Sequence, residues 1–187
     1  MSVEQLLWRE DAAGLGSLVN RGEVSPSELV DAAIDRAERV NPEINAIAET
    51  MFEQARAAAK AVDRRLPLAG VPFAIKDLGI AQNGIPVRSG SKAPAFLPDF
   101  DSALTERYRA AGLIPIAIST SPEHGLKLVT ESVAFGITRN PWKSATRAAA
   151  LRAARRLWLP QAWFRPHMPP TAADRSGFRP PAAGWSA

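Results

Sequence analysis

The feature that most constrains the fold of this chain is a change in the type of sequence near Trp142. Residues 1–143 mix 16 Lys and Arg with 18 Asp and Glu, and they show both helical and strand-like apolar periods. Residues 144–187 hold seven Arg, no Lys and one acidic residue, Asp174, among many Ala, Pro and Trp. The formal charge of +4 therefore belongs to this segment. We predict a folded domain over 1–143 and an aberrant basic tail over 144–187, irregular or loosely helical.

The clearest helix begins after Ser25. Ser25 is a suitable N-cap, Pro26 fits the first helical position, and Glu28 completes a capping box with Ser25. We predict that Pro42 ends this helix, because proline cannot donate the next backbone hydrogen bond. One apolar stripe at helical spacing follows the cap: Leu29, Val30, Ala33, Ile34, Ala37 and Val40.

Two further helices and two strands follow in alternation. Helices are predicted over 51–66, ended by Pro67, and over 99–112, capped by Asp101 or Ser102 and stopped by Gly112. The mostly apolar runs 68–80 and 113–120 are predicted as strands. The first delivers Lys76 and Asp77 at its end, and Pro115 gives the second an edge position or an irregular start. This alternation predicts an α/β fold with a mixed, largely parallel sheet.

Several motifs of residues 1–143 together resemble the amidase-signature hydrolases. The matching stretches keep the order and the approximate gaps of that family, and the run Ala117 to Thr120 is a local departure from it. They are "GVPFAIKD" at 70–77, Gly84, Gly90 with Ser91, "DFDSALTERYRAAG" at 99–112, "SPEHG" at 121–125 and "TESVAFGITRNPW" at 130–142. The resemblance implies the N-terminal portion of an α/β/α amidase domain.

The resemblance also implies amide hydrolysis by a Ser–cis-Ser–Lys triad, in which Lys76 matches the catalytic lysine. Burial at a strand end disfavours a charged ammonium, and the neutral amine can act as a base through a bridging serine. Two alternatives stay open from the residues alone, namely that Lys76 extends to solvent or that it pairs with Asp77. The family places its two serines in later "GGSSGG" and "DGGGSIR" runs, and this chain has neither. We therefore expect a truncated amide hydrolase that is inactive as it stands.

A reading-frame error explains the unusual tail. Suppose that each codon of the original frame consists of the last base of one codon in the present frame and the first two bases of the next. The residues Thr171 to Gly177 are then compatible with D-G-G-G-S-I-R, and the run "RAAALRAARRLW" at 147–158 is compatible with P-G-G-S-S-A-G-G-A-A-A-V. We predict a frameshift between Lys143 and Thr146, with the residues from Arg147 onward translated out of frame.

A basic binding segment is the alternative for the tail. Residues 148–159 could form a basic helix that binds a membrane surface or RNA, attached to a non-catalytic binding remnant. This segment lacks a clean apolar face, and six prolines follow it. We therefore expect neither nucleic acid nor a membrane as a partner.

The remaining candidates point to no further chemistry. The chain has no cysteine, and neither a basic leader nor a membrane-spanning run is visible, so we expect a cytoplasmic protein. We expect no cofactor and no metal, because His124 suits a loop and His167 lies in the tail. Gly84 and Gly90 suit turns. Four serines are expected as loop hydroxyls that cap helices or hydrogen-bond a substrate: Ser89, Ser91, Ser119 and Ser121. The expected substrate is a small amide of unspecified identity, and the oligomeric state is open.

Overall fold

The computed structural model describes residues 2–141 and 143–147. Within them the chain forms five α-helices and a 3₁₀ turn at Glu123–Gly125. The helices are α1 Val3–Arg9, α2 Ala12–Asn20, α3 Pro26–Ile44, α4 Phe52–Ala61 and α5 Ala103–Ala111. The strands are β1 Ile47–Thr50, β2 Pro72–Lys76, β3 Ile114–Ser119, β4 Glu131–Ser132, β5 Gly136–Ile137, β6 Arg139–Asn140 and β7 Lys143–Arg147.

A three-stranded mixed sheet with the order β1-β3-β2 is the centre of the fold. Strand β3 runs parallel to β2 and antiparallel to β1. Two short antiparallel pairs, β4 with β5 and β6 with β7, follow it in the chain. The predicted α/β class with a mixed sheet is confirmed.

Pro115 lies in the central strand, so the predicted edge position is wrong and the predicted irregular start is right. Phe73 of β2 is opposite Pro115, whereas the next residue, Ala74, is opposite Ala117. This register shift skips Ile116. Strand β1 is paired only from Ala117 onward, so Pro115 needs no ladder hydrogen bond on that side.

Helix α3 forms for the local reasons visible in the sequence. The Ser25 hydroxyl accepts the Glu28 N–H at 3.2 Å, and a Glu28 carboxylate oxygen accepts the Ser25 N–H at 2.8 Å. The predicted stop at Pro42 is wrong, because the helix continues to Ile44. The missing Pro42 N–H is tolerated in the last turn, where the Asn41 side chain accepts the N–H groups of Ala46 and Ile47, the second and third residues after the helix.

The other predicted helices are present, with one shorter than expected. Helix α5 begins after Ser102, the predicted cap, and ends at Gly112. Helix α4 ends at Ala61, several residues before Pro67. Helices α1 and α2 were not predicted.

Apolar side chains pack on both faces of the central sheet. Buried apolar residues of α3 and α4 pack on one face against Ile114 and Ile116 of β3. On the opposite face, Ile75 packs with Met51 and Ile118. There the Tyr108 ring of α5 lies edge-on to Phe73, with ring centroids 4.9 Å apart. Complete burial of side chains such as Ile116 stabilises this arrangement by roughly 1.5–3 kcal/mol each.

The segment predicted as a tail begins inside a strand pair. Residues 143–147 form β7 and pair with β6, and the rest of the predicted tail, including His167, lies outside the described residues. No helix in the described part of the chain is long and apolar enough to cross a membrane.

Candidate active site

Lys76 is the last residue of β2 and lies at the edge where two parallel strands end together. Its register partner on β3 is Ser119, which is buried. Ligand sites of α/β folds occur at the carboxyl ends of parallel strands. Lys76 is partly buried, and no hydrogen bond or ion pair joins its ammonium to a side chain of residues 2–141.

Asp77 does not pair with Lys76. Its side chain is buried, with 2% of the residue exposed. One carboxylate oxygen accepts the backbone N–H of Arg88 at 2.7 Å, and the other accepts that of Gly90 at 2.8 Å. Both oxygens are thereby used to hold a loop, so the alternative of a Lys76–Asp77 pair is wrong.

The loop held by Asp77 is tightly fitted against the residues that follow β3. A Cβ built on Gly90 would lie 2.6 Å from the carbonyl oxygen of Ser121, so no side chain fits there without movement. The Ser89 carbonyl accepts the backbone N–H of His124 at 2.8 Å. Ser89 itself has a φ of 52°, which few residues other than glycine adopt.

Of the four predicted loop serines, two have structural roles that their contacts define. The Ser121 hydroxyl, fully buried, donates to the Asp77 carbonyl at 3.0 Å. The Ser91 hydroxyl donates to the Glu123 carboxylate at 2.9 Å and accepts the Ala93 N–H at 3.2 Å. The first bond holds the loop after β3 to the end of β2, and the Ser91–Glu123 bond holds it to the loop that contains Gly90.

The turn predictions and the loop position of His124 are confirmed, whereas the loop prediction for Ser119 is wrong, because Ser119 is the last residue of β3. Gly84 and Gly90 both lie in turns, and His124 is exposed on the 3₁₀ turn. In the described part of the chain, no three His, Asp or Glu side chains come together as potential metal ligands.

Asn45 and Thr138 are important to this edge, and the sequence analysis missed both. The Thr138 hydroxyl lies 2.8 Å from that of Thr120, the residue after β3, and donates to the Asn45 carbonyl at 2.8 Å. The Asn45 side chain donates to the carbonyls of Phe135 at 2.6 Å and Ile137 at 3.3 Å. The signal available in the sequence was the asparagine at position 45, shortly after the predicted helix. Asparagine tolerates a positive φ, and Asn45 has one in the structure.

The two hydrogen bonds from the Asn45 side chain to the carbonyls of Phe135 and Ile137 are here called the Asn45 clamp. Together with the Thr138–Thr120 contact, they hold residues 130–138 at the carboxyl end of β3. The chain then continues into β6, which pairs with β7.

Comparisons with known proteins agree with this geometry. A family model described as Amidase matches residues 28–149. The 6-aminohexanoate-cyclic-dimer hydrolase of Paenarthrobacter ureafaciens is 40% identical over 139 residues, which are 73% of this chain and 28% of that protein. One subunit of the glutamyl-tRNA(Gln) amidotransferase of Salinispora arenicola (strain CNS-205) is likewise 40% identical over 139 residues, covering 70% of this chain and 28% of that one.

A solved structure shows the same backbone arrangement. The structure of 6-aminohexanoate cyclic dimer hydrolase superimposes with a TM-score of 0.71 at 34% identity. The superposition covers 80% of this chain and 30% of that one. This chain thus spans less than a third of the length of the curated relatives that it matches.

Proposed function

This chain belongs to the amidase-signature family, and on that premise we propose that it is the N-terminal part of an amide hydrolase, carrying the base but not the serines of the triad. The observation that supports this most is the position of Lys76. It ends β2 at the carboxyl edge of the sheet, and no described side chain is bound to its ammonium. A structural lysine of this kind would more commonly be found in an ion pair or fully in solvent.

In a complete relative, the neutral Lys76 amine accepts a proton from the bridging serine, which in turn accepts one from the second serine. The second serine oxygen attacks the amide carbonyl carbon, and backbone N–H groups of the glycine-rich run stabilise the resulting oxyanion. Protonation of the nitrogen releases the amine and leaves an acyl-enzyme. Water then hydrolyses this ester and regenerates the serine. The proposed substrate is a small linear or cyclic amide.

The chain itself is proposed to be inactive. None of its 187 residues belongs to a "GGSSGG" or "DGGGSIR" run. Without a nucleophilic serine and the amides of its oxyanion hole, the lysine base alone cannot form an acyl-enzyme.

A frameshift is our proposed origin for residues 147–187. The compatibility of the neighbouring frame with both serine motifs supports it, as does the dominance of Ala, Arg and Pro in that part. Sequencing the gene tests this directly. Bases under Thr171 to Gly177 that do not encode Asp-Gly-Gly-Gly-Ser-Ile-Arg in that frame would exclude it.

Serine-directed labelling tests the proposed function. The purified chain is expected to give no labelling with a fluorophosphonate probe, whereas the Paenarthrobacter ureafaciens relative labels in parallel. Inserting one base among the codons for Lys143 to Thr146 restores the other frame, and the repaired chain is expected to label.

In the repaired chain, Lys76→Ala is expected to slow labelling by about 10²–10⁴-fold, the usual contribution of a general base. Lys60→Ala, an exposed lysine of α4, is the matched control and is expected to label at the repaired rate. Labelling of the unrepaired chain, or a Lys76→Ala rate equal to that of the control, would overturn the proposal.

A further inference from the structure

One asparagine of this chain is followed by glycine, and the two residues form an exposed turn. Asn83 and Gly84 connect Gln82 to Ile85, which form an antiparallel bridge, and the Ile85 N–H donates to the Gln82 carbonyl at 3.0 Å. Gly84 has a φ of 73°, as the third residue of a type II turn requires. Both turn residues are exposed. Asparagine is a thermally labile residue, and this turn presents it to water.

The relevant reaction is loss of the side-chain amide through a succinimide ring. The Gly84 backbone nitrogen, after losing its proton to hydroxide, attacks Cγ of Asn83. The Cγ–Nδ2 bond breaks, and Nδ2 takes up a proton and leaves as ammonia. Water then adds to one of the two ring carbonyl carbons. Cleavage of the bond between the nitrogen and Cγ gives aspartate, whereas cleavage of the bond between the nitrogen and the backbone carbonyl carbon gives isoaspartate. Glycine favours ring closure because it has no Cβ to crowd the approach.

The contacts of the turn leave the Asn83 side chain available for this attack. In the part of the chain that the structure describes, no hydrogen bond joins its amide group to another residue. A Cβ built on Gly84 would meet no atom within 4 Å, so there is space around the attacking nitrogen. The Gly84 N–H donates to the Pro98 carbonyl at 2.9 Å. Since this bond must open before the ring closes, we expect the folded chain to react more slowly than the unfolded chain.

The other four asparagines lack this combination of features. Asn41 and Asn140 are each followed by proline, whose nitrogen has no proton to lose. Asn20 and Asn45 are followed by residues that carry a Cβ, and both side-chain amides donate to backbone carbonyls of distant residues. Tertiary contacts therefore hold these two amides away from the following nitrogen.

We propose that Asn83 is a site of spontaneous deamidation, at which the chain acquires aspartate or isoaspartate as it ages. The Asn83 N–H donates to the Asp101 carboxylate at 2.8 Å, and Asp101 also pairs with Arg109. Deamidation adds a second carboxylate to this contact, and like charges repel. Isoaspartate also lengthens the backbone of a two-residue turn by one methylene. This inference is independent of the family, of the role of Lys76 and of the origin of the tail.

Peptide mapping of the aged full chain tests the proposal. The chain is kept in mildly alkaline buffer, and each asparagine peptide is followed by mass spectrometry with electron-transfer fragmentation, which distinguishes aspartate from isoaspartate. Methyl transfer by an isoaspartyl methyltransferase measures isoaspartate independently. We expect both products at Asn83, formed severalfold faster than any product at Asn20 or Asn45. Urea is expected to raise the rate at Asn83, because it opens the bond from Gly84 to Pro98.

Gly84→Ala and Gly79→Ala separate ring closure from loosening of the fold. The two glycines have φ values of 73° and 72° and open space around them, so alanine has a similar backbone cost at either position. Only Gly84 supplies the attacking nitrogen. Gly84→Ala is therefore expected to slow the conversion of Asn83 severalfold, and Gly79→Ala is expected to leave the rate unchanged.

Each result decides the proposal. An Asn83 that stays intact in the folded chain, or that converts only in urea, would overturn it. Equal rates in Gly84→Ala and Gly79→Ala, or faster conversion at Asn20 or Asn45, would overturn it as well. Aspartate formed without isoaspartate would exclude the succinimide ring and with it the role of Gly84.

Discussion

The Asp77 carboxylate accepts the backbone N–H of Gly90 at 2.8 Å across thirteen residues of sequence, in a buried position. Its other oxygen accepts the N–H of Arg88. This single side chain thus ties the end of β2 to the loop that packs against the residues after β3.

Replacing Asp77 with asparagine is expected to destabilise the domain. Asparagine offers one acceptor oxygen, and its amide group would face an N–H donor. The lost bond and the unsatisfied donor should together lower the free energy of unfolding by roughly 1–3 kcal/mol. Urea denaturation measures this, with the exposed Asp35→Asn of α3 as control, expected within about 0.5 kcal/mol of the unsubstituted chain. Equal losses in the two variants would show that the buried bonds contribute little.

Gly90→Ala is expected to destabilise the domain more than Gly84→Ala. Both glycines have positive φ, 67° and 73°, so each alanine bears a left-handed backbone cost of about 1–2 kcal/mol. Only at Gly90 does the added Cβ also meet a backbone oxygen, that of Ser121, whereas the space around Gly84 is open. Thermal unfolding of the two variants isolates the steric contribution as their difference. Identical unfolding temperatures would mean that the loop moves aside freely.

Asn45→Asp is expected to loosen the backbone of residues 130–138. The substitution keeps the shape and the tolerance for a positive φ, but it places a carboxylate oxygen against the carbonyls of Phe135 and Ile137. Loss of the clamp should cost roughly 1 kcal/mol and accelerate amide hydrogen exchange at Thr138. Hydrogen-exchange mass spectrometry measures this, with Asn83→Asp in an exposed turn as control. Exchange at Thr138 that is unchanged in Asn45→Asp would contradict the clamp.

The capping box of α3 is expected to make stability depend on pH. The hydrogen bond from the Ser25 side chain, followed by that from its backbone, lowers the pKa of Glu28 below its usual value. A carboxylate whose pKa is lowered by folding stabilises the folded state at pH values above its pKa in the unfolded chain. This stabilisation is lost as the pH falls through its pKa in the folded state.

Glu28→Gln should therefore show a smaller loss of stability than the unsubstituted chain when the pH falls from neutral into the acidic range. Thermal unfolding across that range tests the effect. Asp63, whose pKa is lowered chiefly by the Arg65 side chain, adds its own pH dependence, and Asp63→Asn serves as the comparison. A pH profile of Glu28→Gln that matches the unsubstituted chain would contradict the expectation.

The elements that could be predicted from the sequence are those whose stabilising contacts lie close together in the chain. The Ser25–Glu28 capping box, the Ser102 cap of α5 and its end at Gly112 are all present. Each depends on hydrogen bonds between residues three or four positions apart. The alternation of helices and apolar runs likewise predicted the α/β class, and the apolar run 68–80 predicted that a strand delivers Lys76 at its end. The stop at Pro42 was misjudged, and Pro115 left both an edge position and an irregular start open, because the effect of a proline depends on whether a partner strand or a further helical turn is present at that point.

The amino-acid sequence by itself thus determined the local caps, the apolar periods, the family and the absence of the two serine motifs, since these depend on residue order alone. Only the tertiary structure decided that Asp77 holds a loop, and that Asn45 anchors a segment ninety residues away. Contacts of that kind form when packing brings distant backbone groups within about 3 Å, and no local pattern in the chain encodes such a distance.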